Sequence, residues 1–309
     1  MKLHPGLTPV NADLFYTRND PNDMRLGDIV SQNELAYEHC EVILIGCPQD
    51  QGVQRNKGRI GAAEAPAEIR RALYRYPVGH EHRRLKLCDL GDIPATGSLE
   101  EIHVQLQNAV SRALGDGKTV VVLGGGNDIS YPDCRALAET AGRVLAFNID
   151  RHLDVRADEI RNSGTPYRML LEEGWIKPEN FHEVGINSFA NSEFYLDYVL
   201  EKGGHIHYLG EIRNHGVGVT VEALIQDAEA DALFFGFDMD VVRAMEAPGV
   251  SDPSPMGLTA REICEIADCA AADPRPKIIE ITEVNPRFDV GGITAKLAAN
   301  IIMRALARP

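Results

Sequence analysis

Five short apolar runs, rich in β-branched residues, alternate with longer segments of helical period along this chain. The runs are "EVILIGC", "KTVVVLG", "RVLAFNI", "DALFFGF" and "KIIEITEV", and each has the length and composition of a strand. When strands and helices alternate in this way, successive strands pair in parallel and the helices form the connections. The pattern therefore predicts an α/β fold with a mainly parallel central sheet.

Two of the helical segments begin with a capping box, in which a Ser or Thr and a Glu three residues later satisfy free backbone N–H groups. Ser98 stands three residues before Glu101, and Thr259 stands three residues before Glu262. The segments "EIHVQLQNAVSRAL" and "AREICEIADCAA" continue with helical periodicity. We predict helices there, and a last helix over "GITAKLAANIIMRAL".

The chain carries enough apolar material for one large domain. Of its 309 residues 44% are hydrophobic, and the mean hydropathy is -0.20. No internal repeat, low-complexity tract or clear domain boundary interrupts it. We predict a single domain over residues 1–309, in which residues 1–40 form a less regular N-terminal segment that wraps the core or a neighbouring subunit.

The charge balance makes nucleic acid and membranes poor partners. The chain has 46 acidic and 31 basic residues and an isoelectric point near 5.1, so its surface repels phosphate backbones and anionic lipids. It has no apolar run of membrane-spanning length, and its start, "MKLHPGLTPVNADLF", lacks the apolar core of a signal peptide. Six scattered cysteines, without the spacing of a zinc or redox motif, predict reduced thiols. We expect a cytoplasmic protein.

Acidic residues, with one histidine among them, recur where three of the apolar runs end. They are Asp150, His152 and Asp154 after "RVLAFNI", Asp238 and Asp240 after "DALFFGF", and Glu283 within "KIIEITEV". Alternate residues of an extended segment point to one side, and ligands of parallel sheets collect beyond the carboxyl ends of the strands. Because burying unpaired charge is expensive, the cluster predicts a bound cation.

The ligand types indicate the metal and the chemistry. Carboxylate oxygens and one imidazole, with no thiolate nearby, suit manganese, magnesium or iron, and zinc remains open. Two neighbouring ions could offset the repulsion among the carboxylates and hold a hydroxide that is nucleophilic at neutral pH. The alternative is that these residues only form turns, helix caps and a structural histidine. The recurrence at three strand ends favours one shared site for metal-assisted hydrolysis.

The motifs resemble those of the ureohydrolase superfamily, which contains arginase, agmatinase and formimidoylglutamase. The superfamily's Gly-Gly-Gly-His, Asp-Ala-His-x-Asp, Asp-x-Asp and Glu-Val-x-Pro stand here as "GGGND", "DRHLD", "DMD" and "EVNP", in the same order. The segments "FYTRNDPNDMRLGDIV", "GCPQDQGVQRNKGRIGAAEAPAEIRRAL" and "NSGTPYRML" look most like the formimidoylglutamase branch. The resemblance implies a three-layer α/β/α arginase-like fold with a mainly parallel central sheet, and two bound Mn²⁺ ions.

The resemblance also implies a role for each residue of the acidic cluster. Asp150, Asp154 and Asp238 would bind one Mn²⁺, and Asp150, His152, Asp238 and Asp240 would bind the other, so that Asp150 and Asp238 bridge the two ions. Asp154 would pass a proton to the leaving nitrogen. Glu283 would orient the cationic C(=NH)N group of a substrate, unless it forms a salt bridge with a neighbouring arginine.

Two positions depart from the superfamily's motifs. Asn127 replaces the first metal-binding histidine, and Arg151 replaces a small residue. An Asn carbonyl can ligate through oxygen, but it is neutral and a weaker donor than imidazole. We therefore expect the first Mn²⁺ to bind less tightly, with Asp128 as a candidate to compensate. Arg151 either discourages a cation or points away and pairs with another acid.

Candidates for substrate binding come from the segments that resemble the formimidoylglutamase branch. They are Asn56, Arg59, Ser163 and Arg168, each of which could instead stabilise a surface loop. An arginine can hold a carboxylate through two parallel hydrogen bonds, so these arginines favour an anionic amino-acid substrate.

Three functions compete on this evidence. The resemblance implies manganese-dependent hydrolysis of a non-peptide carbon–nitrogen bond in a linear amidine, with N-formimidoyl-L-glutamate giving glutamate and formamide. The second function is hydrolysis of a guanidino compound with release of urea, and the third is non-catalytic binding of a metabolite at a weakened metal site. The clustered carboxylates favour catalysis over the third. A small molecule is the partner in each case, and the resemblance also implies assembly into a homo-oligomer.

Overall fold

The computed structural model describes residues 6–32, 34–82 and 84–307. Eight strands form one sheet: β1 (Val42–Gly46), β2 (Leu87–Asp92), β3 (Thr119–Leu123), β4 (Val144–Ile149), β5 (Phe181–Ile186), β6 (His205–Tyr208), β7 (Ala232–Asp238) and β8 (Pro276–Thr282). Their order across the sheet is β2-β1-β3-β8-β7-β4-β5-β6. Every neighbouring pair is parallel, which confirms the predicted sheet and makes it parallel throughout.

Helices cover both faces of the sheet. They are α1 (Leu26–Ile29), α2 (Gln51–Arg55), α3 (Ala65–Leu73), α4 (Leu99–Gly115), α5 (Ser130–Ala141), α6 (Pro166–Glu172), α7 (Glu193–Lys202), α8 (Leu209–His215), α9 (Val217–Asp227), α10 (Ala260–Ala272) and α11 (Ile293–Ala305). One hydrophobic cluster joins the sheet to α3 and α8 to α11, and a second joins its other face to α4 to α7. The three-layer α/β/α fold is confirmed.

The local predictions agree with the elements that form. The five predicted strands correspond to β1, β3, β4, β7 and β8, whereas β2, β5 and β6 were not among them. Both capping boxes form, with the Ser98 and Thr259 hydroxyls accepting from the backbone N–H groups of Glu101 and Glu262. The predicted last helix is α11.

The N-terminal segment is irregular in its described part. Residues 6–32 and 34–40 contain short helical turns at Ala12–Leu14, Leu26–Ile29 and Glu34–His39, while residues 1–5 and 33 lie outside the described residues. Thr8 and Ser31 form isolated bridges with Asp92 and Cys88, which ties the segment to β2. That residues 1–309 form a single domain stays a prediction.

Two further properties concern the chain as a whole. All six cysteines are free thiols, and five of them are buried. Among the described residues, none of the helices has both the length and the apolar character needed to cross a membrane.

The strand order decides where the acidic residues meet. Strands β3, β8, β7 and β4 are consecutive neighbours in the middle of the sheet, although β7 and β8 come much later in the chain than β3 and β4. Because all strands are parallel, their carboxyl ends lie at the same edge. The carboxyl ends of these four strands and the segments that follow them carry the predicted metal-binding residues and Glu283.

Candidate metal centre

Each of the four central strands carries its part of the site at its carboxyl end or within the few residues that follow. Asn127 begins a short 3-10 turn, Asn127–Ile129, after β3, and residues 150–154 follow β4. Asp238 ends β7, and Asp240 lies in the next turn, Met239–Val241. Glu283 follows β8. The sequence motifs therefore converge on one edge of the sheet.

The side chains form two overlapping groups that could each hold a metal ion. One group is Asp150, His152 and Asp240, and the other is Asp150, Asp154 and Asp238. Within each group the candidate ligand atoms lie within 4.8 Å of one another. Asp150 belongs to both groups, as expected of a bridging carboxylate, whereas Asp238 belongs to one.

Several buried oxygens of this acid cluster have no hydrogen-bond partner among the described residues. They include Asp150 Oδ2, Asp240 Oδ1 and Glu283 Oε2. Burial raises the pKa of Asp240 to about 6. Burial and the neighbouring acids raise the pKa of Asp238 well above its usual range. A cation would relieve both the desolvation and the mutual repulsion, so the donor set fits a divalent metal.

His152 lies between the acid cluster and the protein surface. Its Nδ1 is 3.5 Å from Asp150 Oδ1 and 3.4 Å from Asp240 Oδ2, while its Nε2 is 3.3 Å from Asp252 Oδ2. Burial alone would lower the pKa of His152, but these three carboxylates raise it well above its usual value. With the proton on Nε2, the imidazole would present the Nδ1 lone pair to the cluster.

The backbone around the site is strained at two of the acids. Asp154 has φ of 47° and Glu283 has φ of 61°, in the left-handed region that side chains other than glycine rarely adopt. Such conformations persist where the surrounding structure holds them, and they cluster at functional sites.

The glycines before Asn127 allow close packing, because a Cβ on Gly125 would overlap the carbonyl oxygen of Gln49.

Asn127 is buried beside the cluster. Its Nδ2 donates to Asp154 Oδ2 across 2.7 Å, and its backbone N–H donates to Glu283 Oε1 across 2.7 Å. Asp128 points elsewhere, since its Oδ2 binds His103 Nε2 at 2.7 Å and accepts from Gln49 Nε2 at 2.8 Å. The side chain that was a candidate to compensate for Asn127 is therefore engaged in separate buried hydrogen bonds.

Arg151 and Glu283 differ in whether they pair with a side chain of opposite charge. The Arg151 guanidinium pairs with Asp252, with 2.9 Å between Nη1 and Oδ2. Glu283 forms no salt bridge with any arginine that the structure describes, and burial raises its pKa well above the usual value.

A cavity of about 520 Å³ opens onto the acid cluster. Asn56, Arg59 and Ser163 line it, and Asn56 Nδ2 donates to Ser163 Oγ across 3.0 Å. Arg59 donates to the Val250 and Ser251 carbonyls, at 2.5 Å and 3.3 Å, and its guanidinium also stacks on a phenylalanine ring. Its hydrogen-bonding capacity is therefore largely used in holding the loop that ends at the cavity wall.

Arg168 is not among the residues that line this cavity. Its guanidinium pairs with Glu172 across 2.9 Å and lies 4.1 Å from the ring centre of Tyr198. The structure does not bring this candidate together with the others.

The cavity also contains residues that the sequence patterns did not single out. Lys57 and Arg156 line it, and the side chain of neither forms an ion pair or hydrogen bond with another described residue. Asp252 lines it as well. The presence of Arg156 two residues after Asp154 was a usable signal, whereas Lys57 and Asp252 lie in loops whose positions only the folded chain reveals.

Comparison with known proteins places these features in a family. The model of the arginase family matches residues 40–307. A formimidoylglutamase from Rhodococcus jostii (strain RHA1) is 33% identical over 279 residues, which covers 86% of this chain and 85% of that protein.

Two solved structures share the fold over nearly the whole chain. A formiminoglutamase from Trypanosoma cruzi, solved with Mn²⁺, has a TM-score of 0.87 at 33% identity and covers 93% of this chain and 100% of its own. The formimidoylglutamase from Bacillus subtilis has a TM-score of 0.88 at 30% identity and covers 94% of each chain. The protein described here therefore belongs to the arginase family, in its formimidoylglutamase branch.

Proposed function

We propose that this protein is a manganese-dependent hydrolase of a linear amidine, which converts N-formimidoyl-L-glutamate and water to L-glutamate and formamide. The observation that carries the proposal is the pair of overlapping ligand groups, joined by Asp150, at the base of a cavity. Relatives named formimidoylglutamase, and a related structure solved with Mn²⁺, support both the reaction and the metal.

The acid cluster would hold two metal ions. Asp150, Asp154 and Asp238, with Asn127, are assigned to one, and Asp150, His152, Asp238 and Asp240 to the other. The unpartnered oxygens of Asp150 and Asp240 support this assignment. When bound, two such ions neutralise the carboxylates, polarise the reacting group and make a water molecule nucleophilic at neutral pH.

Glu283 binds the amidine group of the substrate, and Asp154 transfers a proton during its hydrolysis. Glu283 Oε1 is held by the Asn127 backbone N–H, which leaves Oε2 to pair with the cationic amidine. Water attacks the amidine carbon and gives up a proton to Asp154. The bond from that carbon to the glutamate nitrogen then breaks, and Asp154 passes the proton to the departing nitrogen. The carbon leaves as formamide.

Recognition of the glutamate part needs cations, because the substrate carries two carboxylates. Lys57 and Arg156 line the cavity without a partner of their own among the described residues, so they can pair with those carboxylates. Asn56 and Ser163 add a hydrogen-bonded pair on the same wall. Arg59 acts by holding the loop at Val250 and Ser251.

We place the enzyme in the cytoplasm, as a homo-oligomer.

Product analysis tests the proposal. The Mn²⁺-loaded chain is incubated with N-formimidoyl-L-glutamate and, in parallel, with arginine and agmatine, and formamide and urea are measured. We expect formamide from the first substrate and no urea from the others, with loss of turnover in Asp238→Ala. Urea alone would support a guanidino hydrolase instead, and no turnover with any substrate would support a binding protein.

A further inference from the structure

The side-chain amide of Asn127 is held from both ends. Its Nδ2 donates to Asp154 Oδ2 across 2.7 Å, while its Oδ1 accepts from the hydroxyls of Ser130 at 2.9 Å and Thr282 at 3.0 Å. The residue is 1% exposed, so bulk water does not compete for these groups. In this arrangement the amide nitrogen faces the acid cluster and the oxygen faces away from it.

An amide binds a hard divalent cation through its oxygen, because its NH₂ group only donates hydrogen bonds. Asn127 must therefore turn its amide over to act as the metal ligand assigned above. A half-turn about the Cβ–Cγ bond exchanges oxygen and nitrogen in nearly the same volume, and this torsion has broad, roughly two-fold preferences. The turn is feasible only if the groups behind Asn127 can accept the nitrogen.

Ser130 and Thr282 can accept it, because a hydroxyl both donates and accepts hydrogen bonds. Both side chains are fully buried, and they belong to different elements, α5 and β8. The branched side chain of Thr282 has few χ1 choices, which holds its hydroxyl toward Asn127. The two hydroxyls can therefore contact either end of the amide.

Glu280 completes the hydrogen bonding. Ser130 Oγ lies 2.9 Å from Asn127 Oδ1 and 2.5 Å from Glu280 Oε1, but its single proton can serve only one of them. When the amide nitrogen faces Ser130, the hydroxyl accepts from Asn127 and donates to Glu280. Glu280 is fully buried on β8, so this acceptor stays in reach.

We propose that Ser130, Thr282 and Glu280 are positioning residues for Asn127, and we call these three residues the amide cradle. In the metal-loaded enzyme the cradle accepts the amide nitrogen, so that Asn127 Oδ1 faces the acid cluster. The inference rests on the metal-ligand role of Asn127 under the proposed function. It goes further by naming the residues that allow an asparagine to serve there.

Mn²⁺ titration tests the cradle. The electron paramagnetic resonance signal of free Mn²⁺ measures how much of the metal is bound. Ser130→Ala and Thr282→Val each remove one hydroxyl with little change in volume. Thr119→Val makes the same change at a buried threonine of β3 whose side chain forms no hydrogen bond with a described residue. We expect one of two Mn²⁺ ions to bind about 10- to 100-fold more weakly in each cradle variant, while Thr119→Val binds like the wild type.

A second comparison separates orientation from general packing. In Asn127→Asp, a carboxylate presents an oxygen from either end, so the ligand no longer depends on which way it is turned. In that background we expect Ser130→Ala to change Mn²⁺ affinity by less than about threefold.

Three results would each contradict the proposed role of the cradle. They are cradle variants that bind two ions like the wild type, a similar loss of affinity in Thr119→Val, and an undiminished effect of Ser130→Ala in the Asn127→Asp background. If the wild type still releases formamide in these cases, the proposed function survives. A wild-type chain that neither binds two Mn²⁺ ions nor releases formamide would remove both.

Discussion

Arg151 and Asp252 together orient His152 from outside the acid cluster. Asp252 Oδ2 lies 2.9 Å from the Arg151 guanidinium and 3.3 Å from His152 Nε2. A carboxylate on one imidazole nitrogen fixes the tautomer and leaves the other nitrogen free to ligate. The arginine that departs from the family motif therefore anchors a carboxylate beside a candidate ligand.

Removing that carboxylate should weaken one metal position. We expect Asp252→Ala to bind the Mn²⁺ that depends on His152 about tenfold more weakly, and Arg151→Ala to have a smaller effect because the carboxylate remains. Mn²⁺ titration measures both. Asp231→Ala, which breaks an exposed ion pair with Arg143, serves as the matched control. Unchanged binding in Asp252→Ala would show that His152 keeps its orientation without this contact.

Arg156 and Arg168 offer a test of substrate recognition at the level of single side chains. Arg156→Gln removes a cation that lines the cavity, so we expect KM for N-formimidoyl-L-glutamate to rise about 10- to 100-fold, with a smaller change in kcat. Arg168→Gln is the control, because Arg168 pairs with Glu172 and does not itself line the cavity. Steady-state kinetics that changed equally in both variants would contradict the assignment.

At the scale of elements, the five strands predicted from apolar runs are the contiguous middle of the sheet, β1-β3-β8-β7-β4. Strands in this position are covered by helices on both faces, so their sequences are nearly continuous in apolar residues. The three strands that the pattern missed lie toward the two edges. Two of them, "FHEVGI" and "HIHY", contain histidines and a glutamate that hide the strand signal.

One contact between elements joins two buried acids. Asp133 on α5 and Glu280 on β8 are fully buried, and a hydrogen bond joins their carboxyl groups. Burial, and after it the negative charge of Glu280, raises the pKa of Asp133 well above 3.8. Burial raises the pKa of Glu280 to about 7. The folded pair therefore holds a proton to higher pH than the unfolded chain does.

This contact makes stability depend on pH in a defined direction. A folded pKa above the unfolded value contributes stability that is complete below the unfolded pKa, near 3.8 for Asp133, and is lost as pH rises toward the folded pKa. We expect Asp133→Asn to gain unfolding free energy over the wild type as pH rises from 4.5 to 8, by up to about 1.4 kcal/mol per pH unit. Urea denaturation of both chains in chelator measures this.

The control for this prediction is Asp227→Asn, a substitution at an exposed carboxylate near the end of α9. Its difference from the wild type should not change across the same pH range. A difference between Asp133→Asn and the wild type that stays constant with pH would show that Asp133 does not hold an extra proton in the folded state.

At the scale of the whole molecule, the sheet brings mutually repelling acids together at the carboxyl ends of its central strands. Metal binding should therefore contribute to folding stability. A ligand that binds only the folded chain stabilises it by about 2.7 kcal/mol when its free concentration is 100 times Kd. We expect Mn²⁺ to raise Tm, and chelation to lower it. Differential scanning calorimetry at several Mn²⁺ concentrations checks the expected dependence.

The effect of Asp238→Asn on folding stability should change sign when Mn²⁺ is bound. Asp238→Asn removes a buried charge that burial and neighbouring acids oppose, so in chelator the variant should be about 1 kcal/mol or more stable than the wild type. With saturating Mn²⁺ the wild type should be the more stable chain. A variant that is less stable under both conditions would indicate that Asp238 contributes through packing or hydrogen bonding alone.

The sequence by itself determined the parallel α/β architecture, the two capping boxes and the recurrence of acids at strand ends. These features are local, because burial on both faces, hydrogen-bonded helix starts and alternation along a strand all leave their pattern within a few residues. It also carried the family motifs that include Asn127 and Arg151.

Only the tertiary structure decided how those residues are used. The insertion of β8 and β7 between β3 and β4 brought four distant motifs to one edge. Folding also placed Arg168 outside the cavity, turned Arg151 toward Asp252, and put Ser130, Thr282 and Glu280 behind Asn127. These contacts join residues far apart in the chain, and side-chain direction depends on packing that no local pattern encodes.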